Sequence, residues 1–373
     1  MAVIGTVAAF LAVLVVLVLI HELGHFIAAK RAGITVQEFG VGFPPRIASV
    51  VWRGTRYSVN WIPLGGFVKM LGEDGELEAE KMRERGLSDA AIDKAMAGAF
   101  NRKPIWVRIV VLVAGVAMNF LLAGILFAVA LSLPVPEGRG PLEVVAIQED
   151  SPAASADLRV DDVIVAADGR SYEVSRELTE YVRSRAGEPV VLDVLRDGQE
   201  HQITVTPRDP DELRPGEGPI GFTYQPSRYV EVPSEVQGPV DALVSGFSEA
   251  GYLAYRIPGG LAEAVGGLLG LNPNAGQAVG PIGIAEETGR VLQAPLVSQL
   301  VFMGVLSVNL AVLNILPFPP LDGGRVMVVL IEALRRRRLP AEREALIYLT
   351  GFMVLIALVI LISIQDVQRL IEG

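Results

Sequence analysis

Four apolar runs constrain this chain more than any other feature. They extend from about Val3 to Ala29, from Ile105 to Leu133, from Leu296 to Leu316 and from Ala345 to Ile364. The third resumes after an interruption and continues to about Leu334. Each has the length that crossing a bilayer's hydrocarbon core requires, about 17–25 residues. Hydrophobic residues make up 51% of the 373, and mean hydropathy is +0.44. Bunched in this way, they predict a polytopic α-helical membrane protein rather than one large soluble core. The first run has no basic residues before it and is too long for a signal-peptide core, so it is expected to be retained as a span.

Charge excludes some functions and orients the rest. A net charge of −10 argues against general nucleic-acid binding, which needs clustered cations to neutralise phosphate. Lys30, Arg31, Arg102, Lys103 and Arg108 flank the connection between the first two spans, and Arg335–Arg338 lie between the last two. The positive-inside rule places both connections in the cytoplasm. Both termini and the long segment from about 134 to 295 are then expected outside. There is no cysteine, so a metal site must use His, Asp or Glu.

Between the spans the pattern changes. Residues 34–70, ITVQEFGVGFPPRIASVVWRGTRYSVNWIPLGGFVKM, are β-branched and aromatic with Gly and Pro punctuation, which predicts strands and tight turns. They are apolar enough to dip into the bilayer, tolerable only where the backbone is paired or lines a cavity. Residues 73–100 are charged and helical in pattern. From about 140 to 207, LEVVAI, DDVIVAADG, PVVLDVLRDG and HQITVTP alternate as strands do, two of them ending in Asp-Gly turns, with the helical SRELTEYVRSR between. This predicts a compact α+β domain. Residues 238–270 are Gly-rich and amphipathic and are expected on the membrane surface.

Within the first span stands His21-Glu22-Leu23-Gly24-His25, the pattern H-E-x-x-H. On a helix, histidines four apart share a face and both reach one Zn²⁺, while the glutamate can take a proton from its water. Three fixed residue types in five also arise by accident. Ionisable groups inside a span, however, cost about 2.5–3.5 kcal/mol each and are expected to line a working cavity. The only other histidine, His201, falls on an expected outer strand and reads as a surface residue.

Two histidines leave a catalytic zinc one protein ligand short. The candidate is Asp322, in VNLAVLNILPFPPLDGGR, where Pro317, Pro319 and Pro320 break the third span and Gly323-Gly324 follow. Its competing reading is a cap on the helix that restarts there. Asn309 and Asn314, just upstream, either hydrogen-bond a substrate backbone or pair with neighbouring helices; the sequence leaves both open.

HELGH (21–25), IPLGGFVKMLGE (62–73), GPIGI (280–284) and NILPFPPLDGGR (314–325) together resemble the RseP-type site-2 proteases, intramembrane zinc metalloproteases of the M50 family. GVAMNFLLA (115–123) is similar to that family's Gly/Asn-bearing second core helix, and SPAASADLRVDDVIVAADG (151–169) resembles a PDZ domain. Asp157 and Asp161 depart from that pattern, which has glycine there, and are expected to alter the turn before Asp162. The resemblance implies one Zn²⁺ per chain held by His21, His25 and Asp322, with Glu22 as general base. It implies a membrane-reentrant β region (34–70) whose Gly65, Gly66, Phe67, Val68, Lys69 and Met70 present an edge to an unfolded substrate, with Asn314, and by extension Asn309, holding the substrate backbone. It implies regions at 1–133 (two spans, the β region and a cytoplasmic loop), 138–210 (an extracytoplasmic PDZ domain acting as a size filter), 211–295 (an amphipathic linker) and 296–373 (two spans with the LDGG motif). It further implies a bacterial cytoplasmic membrane, single-pass substrates such as anti-sigma factors or signal-peptide remnants, and an upstream site-1 protease.

Two rival readings remain at this level. One is a catalytically silent scaffold that binds partner helices through its core and PDZ domain; an intact Glu22 argues against it. The other is a metal transporter, for which intramembrane acids and repeated halves are lacking.

Overall fold

A computed structural model describes residues 2–73, 77–134, 136–148, 150–172, 174–209, 218–231, 237–268, 279–337 and 340–372. Arg338 and parts of the expected loop (74–76) and linker (210–217, 232–236 and 269–278) lie outside the described residues. The chain forms two compact units, one of residues 1–132 with 237–373 and one of residues 133–236.

The larger unit opens with α1 (Ala2–Arg31), followed by β1 (Val36–Trp52), β2 (Thr55–Met70), α2 (Leu77–Glu84), α3 (Asp89–Ala95) and α4 (Ile105–Leu131). β1 and β2 are two long strands rather than several short ones, and they fold back on themselves. Residues 36–43 of β1 pair on one side with 62–70 of β2 and on the other with 56–59. Residues 46–52 then pair with 55–60, closed by a turn at Arg53-Gly54 in which both residues have positive φ. The four lanes therefore run in the order 46–52, 55–60, 36–43, 62–70. Val50, Val51, Trp52 and Trp61 are exposed on this hairpin. Such apolar surface is costly in water.

The smaller unit holds β3 (Pro136–Ile147), α5 (Pro152–Ser155), β4 (Val163–Ala167), α6 (Ser175–Ser184), β5 (Val190–Arg196), β6 (Gln199–Val205) and β7 (Phe222–Glu231). They form one antiparallel sheet in the order β6-β5-β4-β3-β7. The alternating positions Leu142, Val144, Ile164, Leu192 and Val194 are buried with Leu178 and Val182 of α6. Asp168-Gly169 and Asp197-Gly198 both have positive φ, as tight hairpin turns demand. The expected domain ended at 210, but β7 joins the sheet beside β3 from a segment read as linker. Pro226 interrupts its alternation, which is why the strand does not stand out in sequence. Asp157 and Asp161 do not abolish the turn they were expected to alter. Both adopt the left-handed conformation themselves, with φ of 59° and 70°, which short polar side chains tolerate better than most.

The larger unit resumes with α7 (Pro239–Leu268), α8 (Pro281–Val291), α9 (Leu296–Ile315), α10 (Asp322–Arg335) and α11 (Ala341–Glu372). Among the described residues, four helices are long and apolar enough to cross a membrane: Gly5–Arg31, Ile105–Leu131, Leu296–Ile315 and Glu342–Gln368. They correspond to the four runs read from sequence. Most of the stretch read as amphipathic forms one long helix, α7, packed along α4 and α9. Small residues set that packing: a Cβ on Gly246 would stand 2.5 Å from the carbonyl oxygen of Gly124 in α4. Helices in lipid associate through such close approaches rather than through hydrophobic drive. α4 is the hub, touching α1, α7, α9 and α10.

The GPIGI stretch also finds a structural role. Asp366 on α11 is buried and accepts hydrogen bonds from the backbone N–H groups of Gly280 and Gly283 at 3.1 and 2.9 Å. It thereby satisfies donors that the first turn of α8 leaves open.

Candidate active site

α1 is apolar all round, so its inward face is marked by burial and not by hydrophobicity. Leu17, His21, Gly24, His25 and Ala29 are buried in a helical stripe. Gly24 allows the stripe to lie against α4, since a Cβ there would meet the Ala114 carbonyl oxygen at 2.3 Å. His21 and His25 are 5% and 6% exposed. His25 Nδ1 lies 2.8 Å from the Val111 carbonyl oxygen. An imidazole donating there keeps the Nε2 lone pair free.

Asp322 reaches the same point from the opposite end of the sequence. α9 stops at Ile315, residues 316–321 are not helical, and α10 starts at Asp322 itself. A Cβ on Gly323 would stand 2.1 Å from the Ile315 carbonyl oxygen, so glycine lets α10 fold tightly onto the end of α9. The capping role weighed for Asp322 is not what it performs. Its Oδ2 lies 2.8 Å from His21 Nε2 and 3.2 Å from His25 Nε2, and the two Nε2 atoms are 3.1 Å apart.

Three candidate ligand atoms thus form a triangle with edges of 2.8–3.2 Å. Bonds of about 2.0–2.1 Å at tetrahedral angles put zinc ligand atoms about 3.3 Å apart. The donor set, two neutral imidazoles and a carboxylate with room for a fourth ligand, fits a catalytic zinc.

The triangle opens onto a cavity of about 570 Å³ that Glu22, Asn314 and Arg325 also line. Along one wall runs the end of β2. Gly65 has φ of +104° and lies against Val18; a Cβ on Gly66 would meet Gly40 O at 2.9 Å and Glu22 Cγ at 3.7 Å. The glycine pair therefore seats this lane against α1 beside Glu22. Gly66, Phe67, Val68 and Met70 line the cavity, whereas Lys69 is exposed and does not. Residues 62–70 pair with β1 on one side; among the described residues no strand pairs with the other. Asn309 is not brought to the cavity: its Nδ2 donates to the Val305 carbonyl oxygen one turn back in its own helix.

Several residues here were not singled out from sequence as site residues. A Cβ on Gly115 of α4 would stand 2.5 Å from His25 Nε2 and 2.8 Å from His21 Cε1, so both rings pack on bare backbone. Asn119, one turn on, is buried with its amide 3.4 Å from His21 Nδ1. Glu73, just past β2, accepts from Met70 N at 3.1 Å and pairs with Arg325, one turn after Asp322. That carboxylate ties the end of the β2 lane to the helix bearing the third candidate ligand. The glycine and asparagine four apart in α4 were a usable signal; a pair 252 residues apart was not.

Residues 9–358 match the profile of Peptidase family M50. The zinc metalloprotease RasP of Oceanobacillus iheyensis is 30% identical over 432 residues, covering 98% of this chain and 99% of its own. The regulator of sigma-W protease RasP of Bacillus subtilis is 29% identical over 433 residues, covering 98% and 99%. The crystal structure of the PDZ domain of an SdrC-like protein from Listeria monocytogenes covers 23% of this chain and 87% of its own at 26% identity, with a TM-score of 0.20.

Proposed function

This chain belongs to peptidase family M50, and on that premise we propose that it cuts peptide bonds within the membrane-spanning segments of other proteins. It is a site-2-type zinc metalloprotease and a polytopic membrane protein. The observation that carries the finer reading is the meeting of His21, His25 and Asp322 from α1 and α10, beside Glu22 and the free side of a β lane.

In this reading His21, His25 and Asp322 are the metal ligands. Zinc held by them supplies a Lewis acid that activates water and polarises a carbonyl. Glu22, on the same wall of the cavity, accepts the proton of the attacking water and delivers it to the departing amine. The helical substrate must first expose its peptide bonds. The unpaired side of residues 62–70 offers a strand's worth of donors and acceptors to an extended segment. Asn314, at the cavity wall, supplies a further hydrogen bond to that backbone. The exposed apolar hairpin, with Val50, Val51, Trp52 and Trp61, sits in the bilayer in this account.

The basic clusters support a bacterial cytoplasmic membrane with termini and insert on its outer side. The insert, five antiparallel strands with two helices, is read as a PDZ domain that selects substrates. One relative's name ties it to regulation of sigma-W. By analogy the proposed substrates are single-pass anti-sigma factors, and signal-peptide remnants, already shortened by an upstream protease.

The test is cleavage of a model single-span substrate by the purified full chain in liposomes. Chelation should abolish cleavage and zinc should restore it, with product termini inside the spanning segment. Cleavage indifferent to chelation, or confined to the flanking loops, would overturn the reading.

A further inference from the structure

His21 and His25 face the same point, yet their far nitrogens are treated differently. His25 Nδ1 meets a backbone carbonyl, that of Val111, at 2.8 Å. His21 Nδ1 meets the side-chain amide of Asn119 at 3.4 Å, with the Nδ2 end turned toward it. Asn119 is 0% exposed, and its Oδ1 has no hydrogen-bond partner. A buried acceptor left open in an apolar helix bundle is costly, so its placement asks for a reason.

The reason follows from the ring's other end. His21 Nε2 lies among Asp322 Oδ2 and His25 Nε2, so a ligand lone pair belongs on Nε2. A neutral imidazole with its lone pair on Nε2 carries its hydrogen on Nδ1, which then requires an acceptor. The two ends of an asparagine amide have nearly the same shape, and exchanging them turns Oδ1 toward Nδ1–H. That exchange gives the orphan Oδ1 its partner and avoids the donor–donor clash that a hydrogen on Nδ1 would otherwise make with the amide. The asparagine is also held firmly: Ser307 Oγ on α9 donates to its backbone carbonyl at 2.8 Å. One turn earlier, Gly115 brings α4 against both imidazole rings.

We infer that Asn119 is a positioning residue for the metal site, its amide oxygen accepting from His21 Nδ1–H and so fixing the ring's tautomer and aim. The inference rests on the zinc-site reading above. A partner of this kind on a ligating histidine changes metal affinity by roughly 10- to 100-fold.

The experiment is zinc competition against a chromophoric chelator, on the full chain in detergent, for the natural protein, Asn119→Leu and Asn119→Asp. The natural protein should bind one zinc. Asn119→Leu, of similar volume but without an acceptor, should bind it roughly 10- to 100-fold more weakly. Asn119→Asp, which can only accept, should bind at least as tightly as the natural protein. Equal affinity in a folded Asn119→Leu would overturn the inference and leave the zinc reading standing. Should Asn119→Leu not fold, Asn119→Asp decides: affinity tenfold below the natural protein overturns it. A natural protein that binds no zinc would sink the zinc reading itself, and this inference with it.

Discussion

The insert buries Asp162 and the helical unit half-buries Asp322, at 15% side-chain exposure, and the two carboxylates are satisfied in opposite ways. Asp162 in the insert is 1% exposed. The Arg196 guanidinium grips it as a fork, Nε to Oδ1 and Nη2 to Oδ2 both at 2.7 Å, and the Arg159 backbone N–H adds a third bond at 2.8 Å. Every partner is a donor, so the carboxylate has nothing left to bind. Asp322 in the helical unit faces two imidazole nitrogens instead. A neutral His25 that donates from Nδ1 to the Val111 carbonyl offers a lone pair at Nε2. A carboxylate and lone pairs pointed at one spot repel unless a cation sits between them. Burial alone does not separate a structural carboxylate from a functional one; the chemistry of its partners does.

The comparison can be broken at either end. Asp322→Ala should have the largest effect, because it removes one of three proposed ligands. Losing several kcal/mol of Lewis-acid stabilisation corresponds to about 10³-fold or more in cleavage rate, and bound zinc should disappear in the same preparation. Gly115→Val should come next. Its branched Cβ would collide with both imidazoles, and zinc affinity should fall at least tenfold on the scale of a displaced ligand, read by metal analysis after dialysis. Retained zinc would show that the rings have room that the geometry denies them.

In the insert, Asp162→Ala should leave zinc content untouched. It should cost about 2–3 kcal/mol of local stability, since it strands Arg196 with only partial solvent access. Loss of amide-exchange protection over β4–β6 measures it. Burial raises the Asp162 pKa, but the Arg196 fork and the Arg159 N–H outweigh this and hold it below the usual carboxylate range. Its contribution is therefore fully present above the unfolded value of about 3.9 and is lost as pH falls through the lower folded value. Pepsin should accordingly cut the insert of the natural protein more readily as pH drops below about 4, and cut Asp162→Ala with less dependence on pH. The smallest effect expected is from Asp161→Gly. Relieving a left-handed non-glycine residue should stabilise the insert by about 0.5–1 kcal/mol, seen as slower exchange in β3 and β4.

The two units were also unequally legible. In the insert, period-two alternation and Asp-Gly turns located β3 to β6, and only β7, interrupted by Pro226, escaped. In the helical unit the apolar runs located α1, α4, α9 and α11 but not their facing sides, because α1 is apolar all round. His21, Glu22 and His25 stood out there as ionisable groups in an apolar helix, and Asp322 as the acid after a broken one. Asn119 entered only with Gly115 through the resemblance of 115–123 to a Gly/Asn-bearing core helix, with no role attached, because a lone amide in a span more often pairs with a neighbouring helix. The doubled pairing of β1 was also hidden, since a strand bonded on both sides by the same partner leaves no repeat in the sequence. Glu73 and Arg325 meet only through the fold. Their ion pair links the β2 lane to α10 across 252 positions, beyond what local pattern can reveal.

The central claim is that a metal held by His21, His25 and Asp322 works with Glu22 as base. It is tested most directly by Glu22→Gln, measuring zinc content and cleavage of a single-span substrate in one preparation. The account predicts one zinc per chain in both proteins and cleavage reduced by about 10²–10⁴-fold in the variant, the usual range for a lost general base. Undiminished cleavage by the zinc-loaded variant would contradict it.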